Sequence, residues 1–152
     1  MRISAKGDYA VRAAAELAAS QDGRPVRAET LARQQQVPHR FLEAILSDLR
    51  REGIVVSRRG AGGGYVLARP ADRITVADVV RAVEGPLVFV RDARPSDLEY
   101  TGAAASLQHV WVALRVNVRA VLEQVTLADL AAGTLPASVL ALTGDDAAWQ
   151  NP

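Results

Sequence analysis

Apolar residues recur along this chain in two rhythms. Over residues 4–20, "SAKGDYAVRAAAELAAS", Tyr9, Ala13 and Leu17 fall about one helical turn apart in a run rich in strong helix formers. "QDGRP" at 21–25 reads as a turn. Residues 27–36, "RAETLARQQQ", predict a short second helix with Leu31 and Ala32 inward. Residues 38–52 predict a third, in which Pro38 suits a first turn that needs no N–H and Gly53 stops the helix. Its Leu42, Ile45, Leu46 and Leu49 stand at i, i+3, i+4 and i+7 and form one apolar face. The other face carries Arg40, Glu43, Ala44, Ser47, Arg50 and Arg51, long basic chains among small ones, so it can approach another surface closely. Two short helices with a tight link make a helix-turn-helix pattern.

After residue 53 the rhythm changes. "IVVSRR" and "YVLARP" are strand-like and are joined by "GAGGG", which predicts a hairpin. A helix-turn-helix followed at once by a basic hairpin is a winged helix. Thr75 then caps a helix with Val76, Val79, Val80 and Val83 as its apolar positions, ended by Gly85-Pro86. Residues 86–104 have no period. From about 104, Leu107, Val110, Trp111, Leu114, Val118, Val121, Leu122 and Val125 keep 3-4 spacing, and Val112 and Val116 add a second apolar side. A helix apolar on two sides needs two neighbours, its own domain and a second copy of the chain. "TLADLAAG" adds a short helix ending at Gly133, and "TGDDAAWQNP" reads as a polar, loosely held tail. The expected fold is mainly α with a small β-hairpin wing. Its parts are a winged helix-turn-helix domain at 1–85, a loop at 86–103, a dimerisation helix and short following helix at 104–133, and a partly flexible tail at 134–152.

Charge sharpens this picture. Residues 1–70 hold twelve Lys and Arg against seven Asp and Glu, whereas residues 71–152 hold six against ten. A basic half joined to an acidic half points the first half at a polyanion. The glycine loop is no nucleotide cradle. No Lys-Ser or Lys-Thr follows it, a strand rather than a helix comes next, and Tyr65 occupies the last glycine position of a dinucleotide fingerprint. A bulged hairpin tip remains, in which Gly60, Gly62 and Gly63 bring the backbone close to a partner. Arg58 and Arg59 at its edge can enter a narrow minor groove, so the expected partner is double-stranded DNA.

Catalysis is not expected. The chain has no cysteine, hence no thiolate nucleophile, disulfide or cysteine-held cluster. No serine lies in a G-x-S-x-G setting, and neither histidine has an evident catalytic partner. No apolar run is long enough to span a bilayer, and charges interrupt the first twenty residues, so a cytoplasmic location is expected.

The stretches "MRISAKGDYAVRAAAELA", "VPHRFLEAILSDLRREGIV" and "SRRGAGGGYVLARPADRITVADVVRAVEGPL" resemble the Rrf-type family of bacterial winged-helix transcription regulators. The resemblance implies a homodimeric repressor on a partly palindromic operator. It places Arg40, Phe41, Glu43 and Ala44 at the major groove and Arg59 in the minor groove, with Arg2, Ser4, Lys6 and Tyr9 along the phosphate backbone. Lys6, Arg50 and Arg51 suit phosphate neutralisation, and His39 reads as a first-turn residue near DNA. Sensors of the family hold an iron–sulfur cluster through cysteines in the segment equivalent to 88–105. Here that segment is "VFVRDARPSDLEYTGAAA", so no cofactor is expected. Asp92, Asp97, Glu99 and His109 match no metal-ligand spacing, and no metal is expected either. A small-molecule or protein effector, or no signal at all, remains. The alternative is a protein-interaction adaptor that keeps the winged helix without binding DNA.

Overall fold

The computed structural model describes residues 2–20 and 23–150, so part of the expected turn, Gln21 and Asp22, lies outside the described residues. The elements are α1 (Ala5–Ala19), α2 (Ala28–Gln35), α3 (His39–Arg51), β1 (Val55–Arg58), β2 (Gly64–Leu67), α4 (Val76–Glu84), α5 (Leu107–Leu122), α6 (Leu127–Ala132) and α7 (Ala137–Leu142).

Helix α1 is the centre of the packing and touches α2, α3, α4, α6 and β2. Its buried face is small, Gly7, Ala10, Ala13, Ala14 and Leu17, which lets its neighbours approach closely. The apolar stripe of α3 meets it there. Leu42, Ile45, Leu46 and Leu49 are fully buried, each stabilising the fold by about 1.5–3 kcal/mol.

Local chemistry sets the helix ends. The Ser4 hydroxyl accepts from the Gly7 N–H at 3.1 Å and caps α1. Gln36 turns the chain between α2 and α3 with φ 54°, and buried Val37 donates its N–H to the Ala32 carbonyl at 2.9 Å. Pro38 precedes α3 as its N-cap rather than sitting in its first turn. At the other end Gly53, φ 70°, donates to Arg50, while Ile54 donates back to Leu49 at 2.9 Å. That is a Schellman ending, closed by the buried Ile54.

In the wing, Val55 faces Leu67, Val56 faces Val66, Ser57 faces Tyr65 and Arg58 faces Gly64. The segment before α2 adds a third chain, because Val26 and Tyr65 exchange backbone hydrogen bonds of 2.9 and 2.8 Å.

Beyond α4 the structure departs from the expected boundaries. Helix α5 spans Leu107–Leu122, preceded by a 3-10 turn at Gly102–Ala104, instead of running from 104 through Val125. The apolar period does continue to Val125, but for a different purpose. Thr126 is extended, φ −91° and ψ 163°, because it caps α6 through a capping box with Asp129. Thr75 does the same for α4 with Asp78. The two threonines lie side by side in an antiparallel bridge, with Val76 donating to the Val125 carbonyl and Leu127 to that of Ile74, both at 2.9 Å. Val125 and Leu127 are buried, and Leu127 joins the main core. Val125 therefore belongs to the winged unit rather than to the long helix, and the short helix that follows it is α6. Within the expected C-terminal tail, 134–152, lie α7 and a 3-10 turn at Asp146–Trp149, where the Trp149 indole N–H donates to the Thr143 carbonyl at 2.9 Å.

Candidate nucleic-acid interface

The outward side of α3 presents Arg40, Phe41, Glu43, Ala44, Ser47 and Arg50 to solvent. Phe41 is 45% exposed and meets the Tyr9 ring edge-on, centroids 5.8 Å apart at 88°. The Arg12 guanidinium lies over Tyr9 at 5.4 Å from its centroid. Start of α1 and start of α3 are thus presented together. The ring nitrogens of His39, at the head of α3, lie 3.6 Å from Glu29 and 3.8 Å from Glu43, and its buried Nε2 makes no hydrogen bond. Arg27 donates to the Ala61 carbonyl at 2.7 Å and holds the wing tip against the start of α2. The wing tip and the head of α3 thus both lie beside the start of α2.

The cations divide into two sets. Lys6 pairs with Asp48 at 2.6 Å, and Arg51 with Asp48 at 2.9 Å and Glu52 at 3.3 Å. The Lys6 hydrogen bond is the main cause holding the Asp48 carboxyl below its ordinary value, against the opposing pull of burial. Lys6 and Arg51, both expected to meet phosphates, are engaged in fastening α3. Ser4 is engaged as well, capping α1 and bonding the Glu84 carboxylate through its N–H and hydroxyl. Arg40, Arg50, Arg58 and Arg59 are exposed, and among the described residues they have no carboxylate within ion-pair distance. Arg2 is exposed too.

The wing glycines also divide. Gly60 and Gly62 are exposed at the tip, whereas Gly63 is buried. Gly64 has φ +147°, and a Cβ there would stand 2.5 Å from the Val26 carbonyl oxygen. It is the close approach to Val26, not to a ligand, that demands glycine at 64.

Sequence reasoning missed Arg12, Arg27 and Gln35. Arg12 donates to the Gln35 side chain at 2.9 Å and also bonds the Gln35 carbonyl, welding α1 to the end of α2. No local pattern marks the bonds that join elements, since Arg12 and Gln35 are 23 positions apart and Arg27 and Ala61 are 34 apart.

The expected pairing helix α5 has no buried residue. Leu107, Trp111, Leu114, Val118, Val121 and Leu122 are half-buried, while Val110 and Val116 are each 54% exposed. Val125 differs, being buried within its own protomer.

Helix-turn-helix, basic wing and unpaired guanidiniums together define a winged-helix, DNA-binding transcription regulator. The chain belongs to the Rrf2 family, described as "Iron-dependent Transcriptional regulator", which matches residues 3–133. It is 49% identical to Rv1287 of Mycobacterium tuberculosis (strain ATCC 25618 / H37Rv), named as a candidate HTH-type transcriptional regulator, over 95% of this chain and 90% of that one. A solved structure of CymR (YrzC), the global cysteine regulator of B. subtilis, superposes with a TM-score of 0.71 at 34% identity, covering 88% of this chain and 98% of that one. T. potens IscR superposes at 0.68 with 28% identity, covering 100% and 94%. These relatives are regulators, not enzymes. The residues present do not fit the iron in the family's description. The chain has no cysteine, and among the described residues no three His, Asp or Glu side chains gather into a metal-holding group. No described helix is long and apolar enough to cross a membrane.

Proposed function

We propose that two copies of the chain pair through α5 and set their α3 helices into successive major grooves of a palindromic operator, about 34 Å apart, acting as a repressor. The observation that carries this reading is the set of four guanidiniums, Arg40, Arg50, Arg58 and Arg59, exposed on α3 and the wing without carboxylate partners among the described residues. A guanidinium left in water beside neutralised neighbours is poised for phosphate or base edges. Arg40 can donate twice to guanine O6 and N7, and such a pair is worth about 1–3 kcal/mol of discrimination. Glu43, Ala44, Ser47 and Phe41 border the same groove face. Arg59 suits the minor groove, and Arg50 and Arg58 suit phosphates. Pairing is supported by α5, whose apolar residues find no full cover in the protomer.

Selection of bound genomic fragments with purified protein, followed by titration of the recovered site at several salt concentrations, tests the proposal. A recovered palindrome whose affinity falls steeply with salt is expected. Recovery of bulk sequence, or an affinity indifferent to salt, would remove it. Arg59→Ala should weaken binding most at operators with narrow minor grooves. Transcription in vitro from a promoter overlapping the site should fall as protein is added.

A further inference from the structure

Four arginines converge on one cavity away from α3 and the wing. It has a volume of about 310 Å³ and lies between α4, the segment 86–88 and α5, lined by Arg81, Arg94, Arg115 and Arg119. That volume is at the small end of ligand sites.

The charges in it are only partly answered. Glu123 bonds both Arg81 and Arg119, the latter at 2.9 Å, and these two guanidiniums hold its carboxyl below the ordinary value, Arg119 first. Asp78 reaches Arg81 only at 4.0 Å. Arg94 and Arg115 have no carboxylate within ion-pair distance among the described residues. Arg115 reaches only the Ser96 hydroxyl, at 3.4 Å, and its buried Nε–H has no hydrogen-bond partner. An unanswered N–H on a permanently charged group costs free energy. Guanidiniums present flat, paired donors that match carboxylate and phosphate oxygens.

The geometry points to this cavity as a binding site for a small anion of two or more charges, carrying phosphate or paired carboxylates. Arg94 and Arg115 are its principal donors, and Arg81 and Arg119 are held in place for it by Glu123. Such an anion would clamp α4 and the 86–94 segment to α5. On the proposed pairing through α5, it would act along the second half of the pairing helix, at Arg115 and Arg119, the place for an effector. The binding itself does not depend on the DNA-binding reading.

Calorimetric titration of the full chain with inorganic phosphate and, separately, succinate, at ionic strength held constant with chloride, tests this. Acetate serves as the monovalent control. Saturable one-to-one uptake of phosphate or succinate, much tighter than acetate, is expected. Arg94→Gln and Arg115→Gln should each weaken uptake by about tenfold or more; Arg94 is exposed, so its variant keeps the fold. The double variant Arg50→Gln/Arg58→Gln should bind the anion as the parent does. Absence of saturable uptake would overturn the inference. So would uptake lost in the Arg50/Arg58 variant but kept in Arg94→Gln.

Discussion

Replacing Gly64 with alanine tests whether the wing's backbone, and not only its charge, is built into the fold. The new methyl would lie 2.5 Å from the Val26 carbonyl oxygen and 2.6 Å from its carbon, and the residue would keep φ +147°. Those neighbours are main chain and cannot rotate away. Relief requires separating Val26 from Tyr65, with loss of their hydrogen bonds of 2.9 and 2.8 Å. Two such bonds contribute roughly 2 kcal/mol and an alanine held at that φ costs about 1–3 more, so the change destabilises by roughly 3–5 kcal/mol. Against a total stability of about 5–15 kcal/mol this is severe. At a slope near 2 kcal/mol per molar, the urea midpoint should drop by roughly 2 M. Gly62→Ala is the internal control, since nothing lies within 4 Å of its Cβ position, and it should stay within about 0.5 kcal/mol of the parent. Both variants are compared at one protomer concentration, because the proposed pairing would add to apparent stability. Equal midpoints for Gly64→Ala and Gly62→Ala would refute the reasoning.

Arg50→Gln should reduce the slope of log affinity against log salt by about 2 in a dimer, close to one phosphate per protomer, whereas Arg51→Gln, already paired with Asp48 and Glu52, should change it much less; identical slopes in a salt titration of operator binding would contradict the division of the cations. Val116→Asp places a charge on the exposed side of α5 and should give a folded monomer in sedimentation, so an unchanged mass would argue against pairing through that side. Asp48 has a folded pKa below its ordinary 3.8, so its contribution is complete above about that pH and is lost as pH falls through the lower folded value. Thermal melts from pH 7 to pH 3 should therefore show the parent losing stability below about pH 4, and Asp48→Asn losing less; parallel curves would count against the Lys6–Asp48 pair as a stabilising contact.

The one-dimensional pattern by itself determined the parts that depend on neighbours within a turn or two. The stripe Leu42, Ile45, Leu46 and Leu49, the stop at Gly53, the Thr75 cap and the hairpin around the glycines were all legible, because helical period, capping and turn chemistry act over three to five residues. The outward face of α3 followed from the same period. What only tertiary structure decided are pairings across long stretches of chain. Val125 looked like one more turn of α5 until the Thr75–Thr126 bridge placed it in the core. That Lys6 and Arg51 share the carboxylate of Asp48 was likewise invisible in the pattern. Arg27 became a wing clamp only because Ala61, 34 residues on, returns to it. The arginines at 81, 94, 115 and 119 share a cavity only because α5 folds back against α4 and the segment between them. Apolar period tells which face must be covered, but an exposed charge carries no periodic signal of its partner, so the cations could be assigned only once the chain had closed on itself.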